Sequence, residues 1–208
     1  MSVSTSTTEA GPTWAEGSQL ERILLAARDL FTEQKATSFG VRDVAARAGV
    51  SLRTVYDSFG SKADLLLALY TISLHDRARS LAELVELGGS PSDRLRRYIS
   101  ALVEGAAADN ALAIASMREN RWLSDTRPEG VRAAWEPLVR LMESIVLSAD
   151  PSRYRSIGDS RRVADLLFHL VSTHVHAMST GTIDGTPGEI AHALWAAGCA
   201  VLGLDDAP

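Results

Sequence analysis

Between Gly49 and Lys62 the chain reads GVSLRTVYDSFGSK. Within this stretch stand a guanidinium (Arg53), a phenol (Tyr56), an ammonium (Lys62) and the hydroxyls of Ser51, Thr54 and Ser61, with one carboxylate, Asp57, among them. No nucleophile is paired with a base here. The set is instead rich in hydrogen-bond donors, which suits phosphate oxygens and base edges. An arginine fork matches O6 and N7 of guanine. Hydroxyls and an ammonium match phosphates. A helix opening at Ser61 adds free backbone amides for one more phosphate. Lys62 on its first turn opposes the helix dipole, a placement that an anion docking there would relieve.

Such groups need elements to hold them. Counting from Gly49, small or β-branched residues stand at Val44, Ala45, Ala48, Val50 and Val55. That spacing fits two helices crossing steeply about a tight turn. Ala45 lets the helices approach, Gly49 takes the left-handed conformation that ends the first, and Ser51 caps the second. Leu52, Arg53, Tyr56 and Asp57 then fall on or near the outward side. The helix between Ser51 and Ser61 has about two turns, so packing must hold it.

Helical spacing recurs along the chain, and no alternating β-branched run competes with it. The expected helices are Ser18–Gln34, Val41–Ala48, Ser51–Phe59, Ser61–Val85, Ser92–Ala107, Ala111–Arg121, Glu129–Leu147 (kinked or broken at Pro137), Asp159–Ser179 and Pro187–Leu204. This is an all-α protein of about nine helices. Residues 1–17 read as a disordered tail, 18–64 as a helix-turn-helix domain and 65–208 as a helical body. The 208 residues carry a net charge of −5, with 46% hydrophobic and 23% charged residues. From Ser18 to Lys62 seven cations and five anions give +2, so the remainder carries −7. A weakly basic unit on an acidic body fits local contact with nucleic acid. The single cysteine, Cys199, allows no internal disulfide and fits a reducing cytoplasm. No apolar run is long enough to span a membrane, and the start lacks the pattern of a signal peptide.

At Val41–Leu66, VRDVAARAGVSLRTVYDSFGSKADLL, the sequence resembles the TetR family of bacterial transcriptional repressors. Tyr56, Phe59, Lys62 and Leu65 carry the most specific part, and AARDLFTEQ extends the likeness backward. The sequence departs from the family pattern at Lys35, Ala36, Gly40 (a weaker cap than the usual Thr or Ser) and Ser58. The resemblance implies a three-helix DNA-binding domain closed by the start of the fourth helix. With the spacing above, it assigns DNA contact to Arg42, Ser51, Leu52, Arg53, Thr54, Tyr56, Asp57 and Lys62. It also implies that the remaining residues bind a small molecule and form a homodimer on a palindromic operator, without a cofactor.

The residues of the body permit this. DLLFHLVSTHVHAM and EIAHALWAAGCAVLGL are apolar on more than one face, as helices buried on two sides are. Leu194, Trp195, Cys199 and Leu202 are the candidates for the dimer interface. Ala193, Ala196, Ala197, Gly198 and Ala200 would allow close approach. Tyr98, Met117, Trp122, Trp135, Phe168, His169, Ser172, His176 and Met178 mix apolar walls with polar handles, as small-molecule sites do; residues of these types on a helix are more often plain core. His174 and His176 point about 200° apart on a helix, and His169 with His176 lacks further ligands, so no metal site is expected. Cys199 has no thiolate-stabilising neighbour, and neither a phosphate loop nor a nucleophile elbow is present, so the reading is not an enzyme. The alternative is a helical protein-interaction module that uses the same corner without DNA. A steep salt dependence of DNA binding separates the two.

Overall fold

The computed structural model describes residues 17–33, 40–108 and 123–204. Among them are nine helices and no strand: α1 (Gln19–Glu33), α2 (Val41–Ala48), α3 (Leu52–Phe59), α4 (Lys62–Val85), α5 (Pro91–Ala108), α6 (Pro128–Val146), α7 (Pro151–Tyr154), α8 (Ser160–Thr180) and α9 (Pro187–Leu202). The expected helix near Ala111–Arg121 and the tail over 1–16 lie outside the described residues. The stretch read as a loop after Ala149 holds the one-turn α7. Asp150 caps it by accepting from the Ser152 amide at 2.9 Å, and Pro151 opens it.

The α2–α3 corner forms as its spacing demands. Gly49 adopts φ +65, the Val50 amide donates to the Ala45 carbonyl at 3.0 Å, and the Gly49 amide donates to Ala46 at 3.3 Å. These are the two bonds of a left-handed helix stop. Ser51 Oγ then accepts from the Thr54 amide at 3.0 Å and starts α3. Gly40 has no side chain to cap α2, but Asp43 closes the other half of the cap, its carboxylate accepting the Gly40 amide at 2.9 Å. A Cβ at Gly40 would stand 3.0 Å from that carboxylate, so the missing side chain makes room for it.

Two apolar cores follow. The first joins α1, α2 and α3 through Ile23, Ala27, Val44, Ala45 and Val55, all buried. It also takes in Leu65 and Leu66 of α4, with Leu123 and Val131 from further along the chain. The second lies among the rest of α4, α5, α6, α8 and α9 and includes Leu81, Tyr98, Leu102, Leu138, Met142, Leu167, Val171 and Leu194. The boundary placed at Asp64 therefore falls inside a continuous helix, and the first core continues past it. Of the kink or break expected at Pro137, the break does not occur: α6 runs through it from Pro128 to Val146. The lost amide of Pro137 costs one helical bond, and the packing on both sides of α6 offsets it. Two arginines tie the body. Arg94 Nε donates to the Val85 carbonyl and Nη1 to the Ser144 carbonyl, both at 3.3 Å, at the last turns of α4 and α6. Arg161 of α8 grips Glu136 of α6 at 2.7 and 2.9 Å and holds its carboxyl down at about 2.

The left-handed stop at Gly49 sets the angle of α3, and no heavy atom lies within 4 Å of where a Cβ would go. Gly49→Ala should therefore cost only the backbone term, about 1 kcal/mol in urea unfolding. Gly188→Ala, in the first turn of α9 and equally uncrowded, should be neutral or slightly stabilising. Equal effects at the two sites would remove the left-handed conformation as the reason for Gly49.

Candidate nucleic-acid interface

α3 buries a single residue completely, Val55. Arg53, Tyr56 and Asp57 are exposed on its outward side, as their spacing from Gly49 requires, and Leu52 and Thr54 are half-buried. Arg53 is the most exposed of them, with 89% of its side chain accessible. Its Nε lies 3.5 Å from Asp57 Oδ2, one helical turn on. Ser51 Oγ and Thr54 Oγ1 share a proton at 2.7 Å while Ser51 also caps the helix. One proton of the pair is left to donate outward. Arg42 is exposed on α2. Arg47, on the same helix, is bound to Glu33 of α1 at 2.7 Å.

The start of α4 lies next in the chain to this face. Ser61 Oγ accepts the Asp64 amide at 3.1 Å, with Lys62 on the first turn. The Asp64 carboxylate accepts the Ser61 hydroxyl and is held by Arg127, whose Nε donates to Oδ1 at 2.9 Å and Nη2 to Oδ2 at 3.3 Å. Arg127 directly precedes α6. Asp64 puts a negative charge on the first turn of α4, and Arg127 neutralises it. The hydrogen bond from Arg127 is the largest cause that holds the Asp64 carboxyl below its usual range. Its partner stands 63 residues away, so no local spacing announces the pair.

In the body the structure brings some expected pocket residues together and separates others. Trp135 is the hub. Its indole N–H donates to the Tyr70 hydroxyl of α4 at 2.6 Å, and its ring stands 5.7 Å from Phe168 and 5.4 Å from His169. Burial pushes the Tyr70 phenol up to about 12. Tyr70 was not expected from sequence. Tyr98 is fully buried and gives its hydroxyl to the Leu138 carbonyl at 3.1 Å, so its polar handle is already used. Ser172 and Met178 are half-buried. His176 does not join the cluster: it is exposed, on the outward stripe of α8 that also carries Leu166, His169 and Thr173. Met117 and Trp122 lie outside the described residues. A shallow surface depression lined by Leu147, Pro151, Tyr154 and Arg155 contains none of the expected residues.

The interface candidates need correction. Leu194, Cys199 and Leu202 are buried within one chain, facing the core shared with α5, so they have no surface left for a partner. Cys199 Sγ stands 3.4 Å from Ser92 Oγ, and a Cβ on Gly198 would meet Leu95 at 2.8 Å. Trp195 is half-buried, its indole N–H shared between the carbonyl and hydroxyl of Ser92 at 3.2 and 3.1 Å. The exposed residues of α9 are instead Gly188, Glu189, His192, Ala193, Ala197 and Ala200. Among the described residues no group of three metal-ligating side chains occurs, and no helix is long and apolar enough to cross a membrane.

Residues 23–69 match the family described as bacterial regulatory proteins, tetR family. The chain is 32% identical over 131 residues to an uncharacterised helix-turn-helix-type transcriptional regulator of Mycobacterium tuberculosis, a match that covers 57% of each. The chain thus spans little more than half the length of that relative. Its fold is similar to that of the fatty acid degradation regulator FadR of Bacillus halodurans, with a TM-score of 0.70, 17% identity, and 94% of this chain and 100% of the other covered. It is also similar to Thermus thermophilus FadR, a TetR-family repressor solved with lauroyl-CoA, with a TM-score of 0.68, 22% identity, and 91% and 97% covered.

The Asp64–Arg127 pair makes stability depend on pH in a definite direction. A carboxyl lowered in the folded state stabilises above its unfolded value, near 4, and that contribution fades as pH falls below it. Both partners are more than a third accessible, so solvent screens the pair and its contribution is small. Arg127→Met should lower stability slightly in urea unfolding at pH 7, and the difference from wild type should shrink at pH 3. A difference that does not change with pH would mean that Arg127 acts through packing alone.

Proposed function

From an N-terminal domain that belongs to the TetR family, we propose that this chain is a ligand-responsive transcriptional repressor that binds a palindromic operator as a homodimer. The observation that carries the reading is α3 itself. It buries one residue and turns Arg53, Tyr56 and Asp57 outward, directly before a capped helix start bearing Lys62. In the major groove Arg53 meets a guanine edge, while Lys62 and the first amides of α4 hold backbone phosphates.

A second copy of the chain covers the outward stripes of α8 and α9. Leu166 is 49% exposed there, and Ala193, Ala197 and Ala200 on the neighbouring helix allow close approach. Four such helices, two from each copy, form an isologous bundle. The effector enters the apolar body near Trp135, Tyr70 and Phe168. Acyl-CoA thioesters are the first class to test, because the similar Thermus thermophilus FadR was solved with one. An effector releases DNA only if it binds the non-reading geometry more tightly.

Selection from a random duplex pool at two salt concentrations, with and without acyl-CoA, tests the reading. An enriched palindrome that is lost on adding effector is the expected result. No enrichment at either salt favours the protein-interaction module. Arg53→Ala should cost about 1–3 kcal/mol against the best site and relax one base position. Lys62→Ala should weaken all duplexes alike and flatten the salt slope. For assembly, Ala197→Glu should convert a dimer to a monomer in sedimentation at micromolar concentration, with helical content kept. A dimer that survives this change would place the interface elsewhere.

A further inference from the structure

Asp57 poses a problem that the DNA-reading role leaves open. α3, LRTVYDSF, carries one cation and one anion, so the element that would enter the groove is electrically neutral. A carboxylate there sits between two rows of phosphates and works against binding. Asp57 does not compensate through folding. It is 70% exposed and Arg53 89% exposed, and a solvated pair one turn apart stabilises a helix very little. Nor does it cap anything: Ser51 caps α3, and Ser61 caps α4.

Its position relative to Arg53 is what matters. Nε lies 3.5 Å from Asp57 Oδ2, a loose ion pair one helical turn apart, and among the described residues this is the ion pair that Arg53 makes. In a groove, out of bulk water, such a carboxylate would strengthen its hold on the Nε side and leave the two terminal nitrogens for a base. Those nitrogens form the fork that guanine O6 and N7 accept. We propose that Asp57 is a specificity-determining residue: it positions Arg53 by its Nε edge for a guanine, and its charge disfavours duplexes that offer no guanine at that step. The inference rests on the DNA-reading function proposed above. The physical logic is selection by repulsion. At the right base pair Arg53 gains two hydrogen bonds that outweigh the carboxylate's repulsion by phosphate. At a wrong one the neutral helix has no charge to hold it.

The test compares the full-length wild type, Asp57→Ala and Asp57→Glu. Each is taken through duplex selection and then direct binding at one fixed salt concentration. Three duplexes are used: the best site, the same site with the Arg53-dependent guanine replaced by adenine, and an unrelated sequence. Thermal melting confirms that the variants fold, as the exposure of Asp57 leads one to expect. Asp57→Ala should bind the unrelated duplex several-fold more tightly than wild type. Its ratio of affinities between the guanine and adenine sites should fall about ten-fold. Asp57→Glu keeps the carboxylate one turn from Arg53 and should recover part of that ratio. An unchanged ratio together with unchanged binding of the unrelated duplex would overturn the inference while leaving the repressor reading intact. Tighter binding of all three duplexes by the same factor would also overturn it, since the carboxylate would then act as bulk charge only. If the wild type enriches no sequence, the DNA-reading function falls, and this inference falls with it.

Discussion

α4 is one helix shared by two cores. Its first turns supply Leu65 and Leu66 to the core of the helix-turn-helix, and its later turns supply Ala78, Leu81 and Val85 to the core of the body. Twenty-four residues of α-helix reach about 36 Å, and such a rod transmits tilt more readily than it bends. Both ends are tied to α6, the first by Arg127 and the last through Arg94 of α5. Arg127, just before α6, holds Asp64 at the start of α4, and Arg94 bridges the last carbonyls of α4 and α6. In the second turn of α4, a Cβ on Gly130 of α6 would collide with Leu67, so the two helices cross closely there. Trp135 packs against both cores and bonds Tyr70. A shift of α6 therefore acts on α4 at several points at once, and on the amides of its first turn in particular.

What was legible in the sequence was what short spacing determines. The α2–α3 corner follows from Gly49, Ser51 and the small residues around them, because cap bonds and a left-handed stop join residues at most five apart. The start of α4 was legible from Ser61 and Asp64 for the same reason. The pairs that link the two ends were not. Asp64 with Arg127 and Tyr70 with Trp135 join residues 63 and 65 positions apart, and neither partner stands out locally.

The body shows a different limit. α9 is apolar nearly all round, so periodicity says that it is buried without saying which side faces inward. Large residues drew the dimer assignment, yet Leu194, Cys199 and Leu202 fill the gap against α5 and leave the alanines outside. A bundle interface that must come close selects small residues, while the larger ones complete the core of their own chain. His169 and His176 share one face, as an interval of seven predicts, but that face is the solvent side of α8. Spacing groups residues correctly and leaves their direction open; packing against neighbours decides it.

The charges bear on how the geometry of the proposed dimer would control binding. α3 is neutral, Asp64 is cancelled by Arg127, Arg47 is occupied by Glu33, and the chain as a whole is acidic. A single reading head, with a net +2 from Ser18 to Lys62, thus gains only a modest attraction to phosphate, carried by cations such as Arg42 and Lys62. In the proposed dimer, tight binding arises from two weak heads engaging one duplex together. The second contact is then intramolecular, and its advantage disappears when the heads no longer match successive grooves. A strongly basic head would hold DNA in either geometry and blunt the response. In the proposed dimer, weak local charge would make binding depend on the spacing of the two heads, so that a small tilt of α4 would suffice to release both.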